Sequence, residues 1–240
     1  MKALSSWMDA SAVLFDLDGV LTPTAEVHET AWRELFEDYL AHWPERRAYS
    51  SSDYFDHIDG KPRFDGVRDF LASRSIVLPE GPADDDPARN TVHGLGNRKN
   101  KLFNDIVTSR GVRPFSGSVR FVQAAQQRGL KLAVVSSSRN AAAVLRAAGL
   151  EKYFPVVVDG TVAAGAGLPG KPDPATYEYA AALLGLPTAS CIVVEDAVSG
   201  VRAGSAGRFH SVIGVERGAG RQNLLDAGAT LVVDDLDQLL

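Results

Sequence analysis

Two carboxylates one residue apart, Asp16 and Asp18, follow the apolar run Ser11-Ala12-Val13-Leu14-Phe15 in the segment Phe15-Asp16-Leu17-Asp18-Gly19-Val20-Leu21-Thr22. Side chains alternate along an extended chain, so both carboxylates point the same way and can serve one site. Gly19 permits the turn by which backbone approaches a ligand. An Asp-x-Asp-Gly delivered at the carboxyl end of a strand suggests Mg²⁺ and phosphate chemistry. Alone it reads first as a solvated acidic turn, because short motifs recur by chance. Matching groups at other strand ends separate the two readings.

Three further segments carry such groups. Leu132-Ala133-Val134-Val135 ends in Ser136-Ser137-Ser138, and Ile192-Val193-Val194 ends in Glu195-Asp196. Gly170-Lys171-Pro172-Asp173-Pro174 places a lysine before a predicted helix start. Ligands of parallel sheets bind beyond the carboxyl ends of the strands, so the four segments converge on one expected site. Gly165, Gly170 and Lys171 also mimic the spacing of a phosphate-binding P-loop. Pro172 defeats that reading, since it offers no hydroxyl to a metal, lacks an N–H and disfavours helical geometry at Lys171. Lys171 is better read as a point charge beside an anion.

The elements that must position these groups are legible from periodicity. Beyond residue 111, β-branched runs at Leu130–Val135, Pro155–Val158, Cys191–Val194, Ser211–Val215 and Thr230–Val233 alternate with helical patterns. The patterns are Ser118–Arg128, Asn140–Ala148, Pro174–Leu184, Val198–Ala206 and Gly220–Ala227, with Gly129, Gly149, Gly185, Gly207 and Gly228 at helix ends. A βαβα order predicts an α/β fold, a Rossmann-like parallel sheet with helices on both faces, and Ser11–Phe15 joins it as first strand. Residues 25–106 hold helical stretches, Glu29–Leu40 and Phe64–Ser73, without comparable strands. They predict a mainly helical inserted cap, leaving 1–24 and 107–240 as the core. Leu78–Pro87, rich in Pro, Gly and Asp, predicts a surface loop whose Asp84–Asp86 run is solvated.

Composition narrows the partners. The chain has 240 residues, 45% of them hydrophobic, which suffices for a sizeable core. A net charge of -5 and a pI near 5.5 give no electrostatic case for nucleic acid or an anionic membrane. The single Cys191 excludes an internal disulfide and suits a reducing compartment. With no signal-like apolar stretch near the amino end and no run of membrane-spanning length, a cytoplasmic location is expected. The sequence does not set the oligomeric state, and a monomer is compatible with it.

In this order and spacing the four core segments resemble the haloacid dehalogenase superfamily of phosphohydrolases and phosphotransferases. The resemblance implies Asp16 as the nucleophile that forms an aspartyl phosphate, and Asp18 as general acid and base. It further implies Ser136 as the hydroxyl that binds the transferring phosphoryl group and Lys171 as its neutralising cation. Asp16, Asp18, Glu195 and Asp196 would form the Mg²⁺ end, with Asp18 contributing only its backbone carbonyl.

Within that superfamily the chain is most similar to the β-phosphoglucomutase group. Thr22–Trp32, with His28 and Trp32, resembles the group's first loop and hinge. Gly60-Lys61-Pro62-Arg63 resembles the cap loop whose arginine grips a distal phosphate, and Asn97-Arg98-Lys99-Asn100 a second basic cap element. Ser138-Arg139-Asn140 resembles a core segment that contacts the sugar phosphate. The group implies a sugar phosphate as the small-molecule partner and conversion of β-D-glucose 1-phosphate to D-glucose 6-phosphate through the 1,6-bisphosphate. A sugar-phosphate phosphatase would use the same aspartyl phosphate but let water attack it. A non-catalytic phosphosugar-binding protein would be expected to lack Asp16 or Asp18. Ser137, Arg139 and Pro23 replace the group's usual alanine, lysine and acidic residue, departures that touch the sugar rather than the phosphoryl chemistry.

Overall fold

The computed structural model describes residues 6–59 and 61–240. Its contacts divide the chain into two units, one of residues up to Thr24 together with Val112–Leu240, the other Ala25–Gly111. The later boundary lies beyond the expected 106/107, because one helix runs on through Arg110 before Gly111 ends it.

The first unit is built on six strands: β1 Ala12–Phe15, β2 Lys131–Val135, β3 Val156–Val158, β4 Cys191–Glu195, β5 Ser211–Val215 and β6 Leu231–Val233. They pair in the order β3-β2-β1-β4-β5-β6, and every pairing is parallel. Near-continuous Val, Ile and Leu in β1, β4 and β5 follow from burial on both faces, where no residue has solvent to point toward. Alternation divides the work. Ala12 and Leu14 join a cluster with Val193, Tyr177, Ala180, Val201 and Leu224, whereas Phe15 meets Phe121 and Phe154 edge-on at 6.0 and 5.8 Å on the other face. Helices α5 Ser116–Gln127, α8 Ala175–Leu183, α9 Val198–Ala206 and α10 Arg221–Asp226 pack on the strands, and α6 Ala141–Ala147 lies between β2 and β3 in the chain. A short α7, Gly160–Gly165, follows β3 and is capped by Asp159. The strand order reverses beside β1, between β2 and β4, so the crevice past the carboxyl ends of β1 and β4 is where a ligand belongs.

The second unit contains α1 Thr24–Leu40 from its second residue on, α2 Ser51–His57, α3 Arg63–Ser73 and α4 Val92–Arg110. Trp32, Phe36, Tyr54, Val67, Phe70 and Leu95 belong to its own apolar core, with Phe36 and Phe70 stacked at 3.6 Å between ring centroids. Inside it Asp53, fully buried, takes Arg74 Nη1 at 2.8 Å and the Ser50 N–H at 2.8 Å. The loop before α4 is anchored rather than loose: Asp85 accepts from the Thr91 hydroxyl at 2.6 Å and Asp86 from the Ala88 N–H at 2.8 Å. No described helix is long and apolar enough to cross a membrane.

Candidate active site

All four core segments meet at the carboxyl edge of the sheet. β1 and β4 lie in register, Phe15 opposite Val194, and the Asp16 N–H donates to the Val194 carbonyl at 2.9 Å. Asp16 therefore leaves its strand beside Glu195 and Asp196. Lys171 arrives from the loop before α8, and its buried Nζ uses all three protons: 2.6 Å to Asp16 Oδ1, 2.6 Å to Glu195 Oε1 and 3.1 Å to the Val135 carbonyl. A lysine on no regular strand end thus stitches β1, β2 and β4 together. The loop Gly165–Lys171 forms no P-loop: α7 ends at Gly165, and the next helix begins only at Ala175.

Glu195 is the most committed carboxylate. Its Oε1 accepts from Lys171 and, at 3.0 Å, from the Tyr177 hydroxyl, while Oε2 accepts the N–H groups of Asp196 and Ala197, both at 3.0 Å. Four hydrogen bonds fill the usual capacity of a carboxylate. A Cβ on Gly200 would fall 1.7 Å from Glu195 Oε1, so only glycine lets α9 approach this side chain.

Asp18 sits in a separate polar pocket. It accepts from the Thr24 hydroxyl, which is itself 2.7 Å from the Thr22 hydroxyl, and from Ser136 Oγ at 3.3 Å. Ser136 Oγ in turn accepts the Ser138 N–H at 3.1 Å, and the Asn140 N–H reaches Ser138 Oγ at 3.2 Å. Arg139 stands exposed in the same turn. Gly19 makes the geometry possible. Its φ is 93°, in the left-handed region, and a Cβ there would lie 1.8 Å from Asp196 Oδ2.

Charge in this site is lopsided, with Asp16, Asp18, Glu195 and Asp196 facing one lysine. Burial pushes the Asp16 carboxyl well above its ordinary range against the pull of Lys171, and Glu195 and Asp18 add to the push. Burial works to lower Lys171, but Asp16 and Glu195 more than reverse it and hold the ammonium charged well above its ordinary value. Such an excess of carboxylate suits a further cation. Ligand atoms of Asp16, Glu195 and Asp196 all lie within 4.8 Å of one another, but the Glu195 oxygens, expected as ligands, are already taken by their four hydrogen bonds, which leaves Asp16 and Asp196 as the carboxylates that fit a hard divalent ion. Cys191 is buried at the start of β4 with its thiol pushed up to about 11 by burial, which fits a packing residue.

Within the second unit, the expected cap residues form two groups. Arg63 donates to Asn100 Oδ1 at 2.9 Å and to Asn97 Oδ1 at 3.4 Å. Lys99 is buried against His28 Nδ1 and lies 5.1 and 5.0 Å from the rings of Trp32 and Phe103. Lys61 instead pairs with Asp69 at 2.6 Å on the surface, and Gly60 lies outside the described residues. Sequence reasoning missed Thr24 and Tyr177, the partners of Asp18 and Glu195. A threonine at a helix start and a tyrosine on an apolar helix face carry no local signal of those contacts.

Residues 10–208 match the haloacid dehalogenase-like hydrolase family, and the chain belongs to it. It is 44% identical over 238 residues to a beta-phosphoglucomutase of Mycobacterium bovis, covering 95% of this chain and 91% of that one. The phosphorylated carbohydrates phosphatase of Thermotoga maritima is 30% identical over 224 residues, covering 92% and 93%. The crystal structure of a beta-phosphoglucomutase from Clostridium difficile matches with a TM-score of 0.77 at 24% identity, covering 96% of this chain and 93% of that one, a likeness of fold. The chain is an enzyme of phosphoryl transfer, a phosphosugar mutase or a related phosphatase.

Proposed function

We propose that the chain is a Mg²⁺-dependent β-phosphoglucomutase that converts β-D-glucose 1-phosphate to D-glucose 6-phosphate through the 1,6-bisphosphate. The observation that carries the reading is a pair of carboxylates with separate surroundings: Asp16 on Lys171, Asp18 on the hydroxyls of Thr24 and Ser136. In this proposal an Asp16 oxygen attacks phosphorus, the bond to the sugar oxygen breaks, and Asp18 gives that oxygen its proton. In the reverse step Asp18 takes a proton from the accepting sugar hydroxyl, which recovers the phosphoryl group from Asp16. Lys171 offsets charge on the phosphoryl oxygens and the Ser136 hydroxyl donates to one of them. Asp16, Asp196 and the Asp18 carbonyl would hold Mg²⁺, with Glu195 orienting Lys171. When bound, the metal would supply further neutralisation of the phosphoryl oxygens.

Ser138, Arg139 and Asn140 are assigned to the sugar phosphate. His28, Trp32, Gly60, Lys61, Arg63 and Lys99 are assigned to substrate from the cap. Arg63 suits a distal phosphate because a planar guanidinium pairs two of its oxygens, and it would trade Asn97 and Asn100 for them. The beta-phosphoglucomutase relative at 44% identity supports the mutase over the alternative. The phosphatase relative supports the second reading, hydrolysis of the same aspartyl phosphate.

The test incubates purified protein with Mg²⁺, β-glucose 1-phosphate and a catalytic amount of the bisphosphate, following glucose 6-phosphate and inorganic phosphate together. Isomer formation well in excess of phosphate release is expected. Release of phosphate alone would replace the mutase with the phosphatase.

A further inference from the structure

Three consecutive carbonyls behind the Asp16–Asp18 turn are each held by a donor from elsewhere in the core unit. Gly19 accepts from Arg217 Nε at 3.2 Å, Val20 from Ser118 Oγ at 2.6 Å and Leu21 from the Phe115 N–H at 3.0 Å. Ser118 and Phe115 belong to the start of α5. Arg217 comes from the loop after β5, at the same carboxyl edge of the sheet as Asp16 and Asp196.

Arg217 is itself fixed on several sides. Its Nη1 donates to the Asp234 carbonyl at 2.8 Å, Nη2 stands 3.6 Å from Asp235 Oδ2, and the guanidinium carbon lies 4.1 Å from the Phe115 ring centroid. Asp235 is wedged in turn, since a Cβ on Gly117 would fall 1.5 Å from its Oδ1. A planar fork spreads its donors, so that Nε and Nη1 reach Gly19 and Asp234 while Nη2 faces Asp235 and the plane lies on the ring; an ammonium gathers its donors at one point and does not reproduce that spread. The Asp196 carboxylate packs on the Gly19 Cα, close enough that no Cβ would fit. Gly19 is therefore gripped at its carbonyl by Arg217 and forms a wall for Asp196 at its Cα.

We propose that Arg217 is a positioning residue for the metal-binding carboxylates: by fixing the Gly19–Val20 peptide it sets where the Gly19 Cα stands against Asp196 and steadies the turn from which Asp18, whose own peptide is held by the Gly19 N–H to the Thr22 carbonyl at 2.7 Å, presents its carbonyl. It touches neither substrate nor reacting atoms. The inference rests on the reading of this site as a divalent-metal phosphoryl-transfer centre. Groups that orient metal ligands from behind are worth about 10- to 100-fold in metal affinity or activity.

The test uses Mn²⁺ as probe, titrated against the full chain while free ion is followed by electron paramagnetic resonance. Arg217→Ala and Arg217→Lys are compared with the unaltered protein, and metal-free unfolding is followed alongside. The dissociation constant should rise about tenfold in both variants, and added guanidinium should restore affinity in Arg217→Ala. Equal affinity in all three proteins, or weakened binding in Arg217→Ala that guanidinium leaves unrestored, overturns the inference. Should Arg217→Ala fail to fold, Arg217→Lys decides, because it keeps the positive charge and a long stem and loses the guanidinium fork. An Asp196→Asn protein that binds Mn²⁺ as well as the unaltered chain would instead remove the metal reading itself, and the inference with it.

Discussion

Replacing Lys171 by Met keeps an apolar stem of similar length and deletes the ammonium that lies 2.6 Å from both Asp16 Oδ1 and Glu195 Oε1. The two carboxylates then share a buried site with no cation, and the cheapest relief is for one of them to take up a proton. Breaking a buried pair from one side typically costs about 3–5 kcal/mol. The sign follows from linkage. A carboxyl whose pKa is raised on folding lends its stabilisation below the unfolded pKa and loses it as pH rises through the folded value. Burial already raises Asp16 in the unaltered protein and loss of Lys171 raises it further, so the Lys171→Met penalty should shrink as pH falls through the interval between the two folded values and level off below it. The assay is urea unfolding in chelator at several pH values, in a background where Trp32 and Trp43 are Phe so that buried Trp7 reports the core unit. Phosphoryl transfer should fail in the same variant at neutral pH, because a protonated Asp16 cannot attack. A penalty that grows on acidification would refute the charge argument.

Gly19→Ala should lower turnover of a simple aryl phosphate by about 100-fold or more, since its Cβ would strike Asp196 at 1.8 Å and a misplacement of that order is costly in a reacting site. Gly129→Ala, equally positive in φ but with open space around it, should leave turnover unchanged, and matching losses would show that strain alone is at work. In the cap unit, Asp53→Asn should destabilise by about 3–5 kcal/mol because the fully buried Arg74 loses its counter-charge. Burial works to raise the Asp53 carboxyl, but hydrogen bonds from Arg74, Ser50 and Arg47 outweigh it and hold it well below the carboxylate range. Its stabilisation is thus present above the unfolded pKa and fades as pH falls below it, so the Asn penalty, read from Trp32 and Trp43 fluorescence, should be largest near neutrality and shrink in acid.

The strands were legible to within a residue or so because each is a short apolar run buried on both faces. The differences sit at their ends. Ser11 precedes β1, and β4 extends one residue further than expected, to Glu195, because β5 supplies a partner in Gly214. Gly207 ends its helix as expected, while the left-handed conformation falls on the next residue, Arg208, with φ 53°, and a Cβ on Gly207 would fall 2.5 Å from the Phe209 ring. Helix α4 was not delimited in advance. Its middle, Asn97-Arg98-Lys99-Asn100, is polar, and Lys99 is buried by His28, Trp32 and Phe103, residues from a different turn of α1 or further along α4.

The amino-acid sequence by itself determined that Asp16, Asp18, Ser136, Lys171, Glu195 and Asp196 stand at the ends of elements, because periodicity and turn residues are local properties of the chain. Tertiary structure decided what each of them touches. Lys171 reaches Asp16 across 155 positions and Arg217 reaches Gly19 across 198, contacts set by the strand order β3-β2-β1-β4-β5-β6 and by parallel register. The same packing commits all of Glu195 to Lys171, Tyr177 and two backbone amides while Asp18 keeps its own hydroxyl partners. Adjacent letters in the chain therefore acquire unlike surroundings, since burial and partner geometry arise only when distant segments are brought to one edge of the sheet.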